Sequence, residues 1–112
     1  MYFGKEVRII LKDQAKDEYI ELKKRNDSEA KSILNSIDRI KIILKDNPQY
    51  GDPIPKRLTP KSLLKKGITN IYRIELSNYW RMIYTIEGNN VEILLFVLNI
   101  VSHKEYDKLF GY

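Results

Sequence analysis

Asn70–Ile86 reads NIYRIELSNYWRMIYTI, and its register constrains how the rest of the chain is arranged. Two runs rich in Ile, Tyr and Met flank a short polar break, the composition of a β-hairpin. A two-residue turn at Ser77-Asn78 would set Ile74 beside Arg81 and mix polar with apolar side chains on one face. A three-residue loop, Ser77 to Tyr79, instead pairs Leu76 with Trp80, Ile74 with Met82 and Tyr72 with Tyr84. A slip of one residue inverts every side chain of a strand, so the second register is the consistent one. It predicts one apolar face, with Tyr72, Trp80 and Tyr84 in the core. It also gathers Arg73, Glu75 and Arg81 on the other face.

Strands are predicted at Asn70 to Leu76, Tyr79 to Ile86 and Val91 to Ile100, the last two separated by Glu87-Gly88-Asn89-Asn90. Upstream, Glu6 to Leu11 is a short strand. Asp13 is the expected N-cap of a first helix running to Lys24, with Ala15, Tyr19 and Leu22 on one stripe. Asp27 or Ser28 caps a second helix, whose apolar stripe is Ala30, Ile33, Leu34, Ile37, Ile40 and Leu44, and Asn47-Pro48 ends it. The short link makes the two helices an antiparallel hairpin. The connection from Pro48 to Thr69 is proline-bearing and basic, with an extended stretch expected near Lys56 to Leu58. Downstream, Ser102-His103-Lys104-Glu105 is a capping box that opens a last helix from His103 to about Phe110. The fold class is therefore α+β: an N-terminal strand, a two-helix antiparallel hairpin, then an antiparallel sheet with a short C-terminal helix. Residues 1–112 read as a single domain.

Composition narrows the function. Hydrophobic residues make up 43% and charged residues 31%, an ordinary globular balance. The absence of cysteine excludes disulfides and thiolate metal sites. His103 is the only histidine, so no multi-histidine metal centre can form; no metal and no cofactor is expected. The start of the chain lacks the basic and apolar regions of a secretory leader, and the longest apolar run, Ile93 to Leu98, is too short for a bilayer. A cytoplasmic protein with no membrane association is the expectation. The net charge is +5, and Pro53 to Arg73 holds six basic side chains and no acidic one. Such a one-sign segment raises phosphate affinity by attraction and counterion release. No Ser-His-Asp arrangement, P-loop or dinucleotide fingerprint is present.

The order of these segments resembles the RelE/ParE superfamily of toxins from type II toxin–antitoxin systems, in its RelE-like branch. Four stretches carry the resemblance: Asp52-Pro-Ile-Pro-Lys-Arg-Leu58, Ile71-Tyr-Arg-Ile-Glu-Leu76, Tyr79-Trp-Arg-Met-Ile-Tyr84 and Val97-Leu-Asn-Ile-Val-Ser-His-Lys-Glu-Tyr106. The resemblance implies a metal-independent endoribonuclease that cuts mRNA, on the ribosome, by attack of the 2′-hydroxyl on the adjacent phosphate. It also implies a cognate antitoxin protein as partner. That chemistry needs a cation for the phosphorane, a base and an acid. By position, Arg81 matches the phosphate-clamping arginine and Arg73 a second basic residue one strand over. His103 and Tyr106 fall where the family keeps acid–base and base-stacking groups. Glu75 stands where some relatives have lysine, as a base or a neutralising charge; an exposed Glu75–Arg81 ion pair is the plainer use of both. Lys56, Arg57, Lys61, Lys65, Lys66 and Lys104 are candidate RNA contacts. The alternative is a ParE-like or catalytically degenerate member that acts by binding protein or RNA alone.

Overall fold

The computed structural model describes residues 2–89 and 91–111. Its elements are β1 (Glu6–Leu11), α1 (Asp13–Lys24), α2 (Ser28–Asp46), β2 (Asp52–Ile54), α3 (Lys61–Leu64), β3 (Ile71–Glu75), β4 (Arg81–Gly88), β5 (Glu92–Val101) and α4 (His103–Phe110). The predicted strands, helical hairpin and C-terminal helix are all present, with edges within two residues of those read from the pattern. The five strands form one sheet in the order β1-β5-β4-β3-β2. Neighbours run antiparallel except β1, which lies parallel to β5. Asn90, the last residue of the predicted β4–β5 turn, lies outside the described residues. Among them, no helix is long and apolar enough to cross a membrane.

The central hairpin has the expected register: Tyr72 faces Tyr84, Ile74 faces Met82 and Glu75 faces Arg81. Its tip, Ser77–Tyr79, is a 3-10 turn with Asn78 and Tyr79 at positive φ (59° and 61°). Two hydroxyls of α2 pin that tip. Ser36 Oγ accepts the Ser77 N–H at 3.2 Å, and Ser32 Oγ lies 3.0 Å from Ser77 Oγ. The face carrying Ile74, Leu76, Met82, Tyr84, Leu95, Val97 and Ile100 packs on the hairpin through Leu22, Ile33, Ile37 and Leu44. Each such fully buried aliphatic side chain contributes roughly 1.5–3 kcal/mol.

Four findings differ from the sequence reading. First, Lys12 rather than Asp13 is the N-cap of α1. The Lys12 N–H is still bonded to Val97 O at 2.9 Å, so pairing with β5 holds the chain through Lys12, and Asp13 is the first helical residue. Its carboxylate then meets the positive end of the helix dipole. Second, the extended stretch of the connection is Asp52–Ile54, paired with β3, and Lys56–Leu58 is a 3-10 turn. Pro55 explains the shift: its φ of −57° starts the turn, and its carbonyl accepts from Leu58 N at 2.9 Å. Third, the connection holds a one-turn helix, α3, capped by Pro60. Gly67, at φ +78°, closes it by donating to Leu64 O, a conformation that strains any residue with a Cβ. Fourth, the far face of the sheet is only partly polar. Leu63 of α3 and Tyr106 of α4 cover Ile71, Ile83, Leu98 and Val101 there. Those four lie in phase with Arg73 and Arg81, and only one end of the face is left to the arginines.

Glu18 of α1 accepts a hydrogen bond from Ile100 N at 2.9 Å. Burial pushes its carboxyl up to about 7 from an ordinary 4.5, against the lowering effect of the Ile100 and Gln14 hydrogen bonds. Asp17 and Glu105 nearby add to the rise. The folded state thus holds the proton more tightly than the unfolded chain. Stability is full below pH 4.5, falls between about pH 4.5 and 7, and stays lower above. Glu18→Gln keeps an acceptor for Ile100 and removes the titration. Melting curves across pH 4–8 should show the variant matching the parent at the acid end and exceeding it at the alkaline end.

Candidate functional site

The site is built by two features already described, the β3–β4 register and the end of β5. Glu75 opposite Arg81 puts Arg73 and Arg81 on the same face, two residues of ladder apart. Val101, the last residue of β5, is paired with Arg81, so the chain leaves the sheet beside that arginine. Ser102 then caps α4, its Oγ accepting the Glu105 N–H at 3.2 Å. The cap sets His103 in the first helical turn and Tyr106 one turn on, both against the arginines.

Tyr106 is the centre of the cluster and is 4% exposed. The Arg81 guanidinium carbon lies 4.5 Å from its ring centroid and that of Arg73 at 5.9 Å. Arg73 Nη1 donates to Tyr106 Oη at 3.2 Å. A cation over an aromatic face is attracted by about 0.5–2 kcal/mol, so the ring holds both guanidinium groups in fixed directions. Arg73 also lies 3.8 Å from Asp52 Oδ2 across the β2–β3 pair. The Tyr106 hydrogen bond, more than Asp52, raises the pKa of Arg73 further and keeps it charged.

Arg81 Nη1 lies 2.8 Å from His103 Nδ1. A guanidinium can only donate, so Nδ1 is the acceptor and carries the ring's lone pair. The ring proton is then on Nε2, 3.4 Å from Asp107 Oδ2. The order Arg81–His103–Asp107 fixes the tautomer of an imidazole whose side chain is 59% exposed. The Nε atoms of both arginines are buried and have no acceptor among the described residues. Buried donors left unpaired cost about 1–3 kcal/mol each and mark strain or a functional site.

Four of the five predicted catalytic residues, Arg73, Arg81, His103 and Tyr106, thus come together. Glu75 does not join them. It faces Arg81 in the ladder but is exposed, and among the described residues it forms no ion pair or hydrogen bond. Arg81 turns to His103 and Tyr106 instead, and Glu75 acts on Arg73 only through its charge. Lys104 is exposed on the first turn of α4. Lys56 and Arg57 in the 3-10 turn, and Lys61, Lys65 and Lys66 at α3, are exposed as well. Leu63 seats α3 on the arginine-bearing face of the sheet.

Two members were missed. Asp107 had a local signal, since it stands four residues after His103 on one helical face. Asp52 had none, because only the β2–β3 register brings it to Arg73. Among the described residues no group of three or more His, Cys, Asp or Glu converges as a metal site would require.

No family model matches this sequence, and no curated protein is significantly similar to it. Among solved structures, the chain is similar to a YoeB/ParE toxin from Agrobacterium tumefaciens, with a TM-score of 0.60. The two share 17% identity, and the match covers 86% of this chain and 98% of that one. At that identity the likeness establishes a common fold.

Proposed function

We propose that this chain is the toxin of a type II toxin–antitoxin pair and that it cuts mRNA on the ribosome, in the cytoplasm, without a metal. One observation carries the proposal: two arginines converge on a buried tyrosine, and one of them bonds an exposed imidazole. A protein-binding surface has no need of that construction, whereas transfer at a phosphodiester does. The shared fold with a YoeB/ParE toxin supports the toxin part of this reading.

The chemistry follows from the groups present. The 2′-hydroxyl gives up its proton, O2′ bonds to phosphorus, and the P–O5′ bond breaks to leave a 2′,3′-cyclic phosphate. O5′ takes a proton from water and becomes a free hydroxyl. Arg81, with Arg73 behind it, stabilises the phosphorane charge. An incoming phosphate competes for the Arg81 N–H and frees His103 Nδ1, which then takes the 2′ proton. Asp107 stabilises the imidazolium through Nε2. The partner is a cognate antitoxin, and the basic connection favours an acidic inhibitory segment in it. Inducing the chain without its partner should arrest growth and create new 5′ ends within coding sequences. Growth arrest with intact mRNA would turn the account to the ParE-like reading, inhibition by protein contact.

Exposed lysines serve a different purpose from the arginines. Replacing Lys61, Lys65 and Lys66 by alanine should weaken RNA binding and flatten its dependence on salt. Each lost phosphate contact on a single strand removes about 0.7 from the log–log slope. An unchanged slope would reduce these lysines to solvated surface.

A further inference from the structure

Asn99 is out of character for its position. Asn is depleted in strands, and β5 is an interior strand whose run Ile93–Val101 is otherwise apolar. The β4–β5 ladder shifts between Ile83 and Tyr84: Ile83 pairs with Asn99 and Tyr84 with Val97. Leu98 is therefore the extra residue of a β-bulge, and Leu98 and Asn99 both line the arginine-bearing side of the sheet. Bulges of this kind re-aim a side chain and are common beside active sites. The Asn99 amide forms no side-chain hydrogen bond among the described residues. It opens into a groove of about 410 Å³ between α3, α4 and the start of α1.

The groove combines apolar walls with polar groups, among them Asp13 and Gln14 at the start of α1. Leu63, Leu98 and Leu109 supply apolar walls. Asn99 and the Ser62 hydroxyl, also unpaired among the described residues, supply donors and acceptors. Lys12 and Lys66 stand at its rim, and neither makes an ion pair among the described residues. The Lys12 ammonium is steadied 4.8 Å above the Phe96 ring. Apolar walls with a few converging polar groups are the usual form of a small-ligand site. A carboxamide, with its paired donor and acceptor, can bond a base edge bidentately. Asn99 lies opposite Ile83, one strand over, and Ile83 is two residues, or roughly 7 Å, along β4 from Arg81. Leu63 and Tyr106 cover Ile83 and Val101 between the two, so the groove and the arginine cluster are separate sites on one face of the sheet.

We propose that this groove is a nucleobase subsite, in which Asn99 reads a base of the bound strand and Lys66 and Lys12 hold the backbone on either side of it. The inference rests on the ribonuclease reading for the strand to which that nucleotide belongs. Bound bases in unstacked RNA are recognised in this way, by edge hydrogen bonds within an apolar pocket.

The test is to titrate the isotope-labelled full chain with each of the four nucleoside 5′-monophosphates, and with ribose 5-phosphate as the baseless probe, by nuclear magnetic resonance. At least one nucleotide should shift the Asn99 side-chain amide together with Ser62 and Leu109. Asn99→Leu fills the strand position with an apolar residue that the neighbouring leucines accept, so the variant should fold. It should weaken nucleotide binding roughly tenfold or more and leave ribose 5-phosphate unchanged. No shift at the groove, equal binding of the baseless probe, or equal affinity in Asn99→Leu overturns the subsite. RNA cleavage measured on the same samples separates the two claims. Cleavage by the parent with an empty groove removes the subsite and leaves the ribonuclease reading. A nucleotide at Asn99 in a chain that cuts nothing removes the ribonuclease reading and leaves the subsite.

Discussion

Arg81→Ala should lose RNA cleavage by roughly a hundredfold or more, and growth arrest with it, while remaining folded. Removal of one preorganised charge stabiliser typically costs on the order of 3–4 kcal/mol of transition-state energy. The guanidinium points away from the core beneath the helical hairpin, so the structural loss is chiefly its contact with Tyr106, about 0.5–2 kcal/mol. Arg81→Lys should restore only part of the rate, because an ammonium cannot bond two phosphate oxygens with one planar fork. His103→Ala should slow cleavage and alter its pH profile, since the imidazole accepts the 2′ proton in this scheme. Single-turnover rates on RNA, with melting temperatures measured alongside, separate loss of chemistry from loss of fold. A folded Arg81→Ala protein as active as its parent would leave the arginine without a catalytic role.

Tyr84→Phe should cause a large loss of stability for a single oxygen atom. Tyr84 is fully buried, and its hydroxyl donates to Pro48 O at 2.8 Å and accepts from Gly51 N at 2.9 Å. Burial pushes the phenol up to about 12, so it titrates only in strong alkali. Phenylalanine would leave a backbone carbonyl and a backbone N–H buried and unpaired, at a cost of about 2–4 kcal/mol. For a domain of this size that lowers the melting temperature by roughly 10 °C or more. The loss also reaches the site, because Tyr84 ties residues 48–51 to β4 and thereby sets β2, from which Asp52 faces Arg73. Gly51 shows how close that approach is. A Cβ there would lie 2.8 Å from Tyr84 Oη and 2.9 Å from Ile74 Cγ1. Thermal melts of Tyr84→Phe that overlay the parent would mean that water or relaxation satisfies the two groups.

The fold was legible where local pattern and long-range packing agree. The hairpin register followed from Ile74, Met82, Tyr72 and Tyr84 needing one face, and that register alone joined Arg73 to Arg81. The Ser102 cap carried His103 and Tyr106 to the same corner, so most of the site could be read from two short stretches. What stayed hidden depends on residues distant in sequence. The parallel pairing of β1 with β5 has no signature within Glu6–Leu11. The bulge that turns Asn99 into the groove arises from a mismatch between β4 and β5, which neither strand announces by itself. In the proline-bearing connection, Pro55 starts a 3-10 turn where an extended segment was expected near Lys56 to Leu58, and Pro60 opens a one-turn helix for which no element was expected.

Cleavage at Arg81 is recognised by the chemistry of the RNA ends. Purified chain, freed of its partner and incubated with mRNA on ribosomes in excess chelator, should produce 2′,3′-cyclic phosphate and 5′-hydroxyl termini, and Arg81→Ala should produce almost none. Fragments ending in 3′-hydroxyl and 5′-phosphate, or intact mRNA beside a chain that still arrests growth, would contradict it.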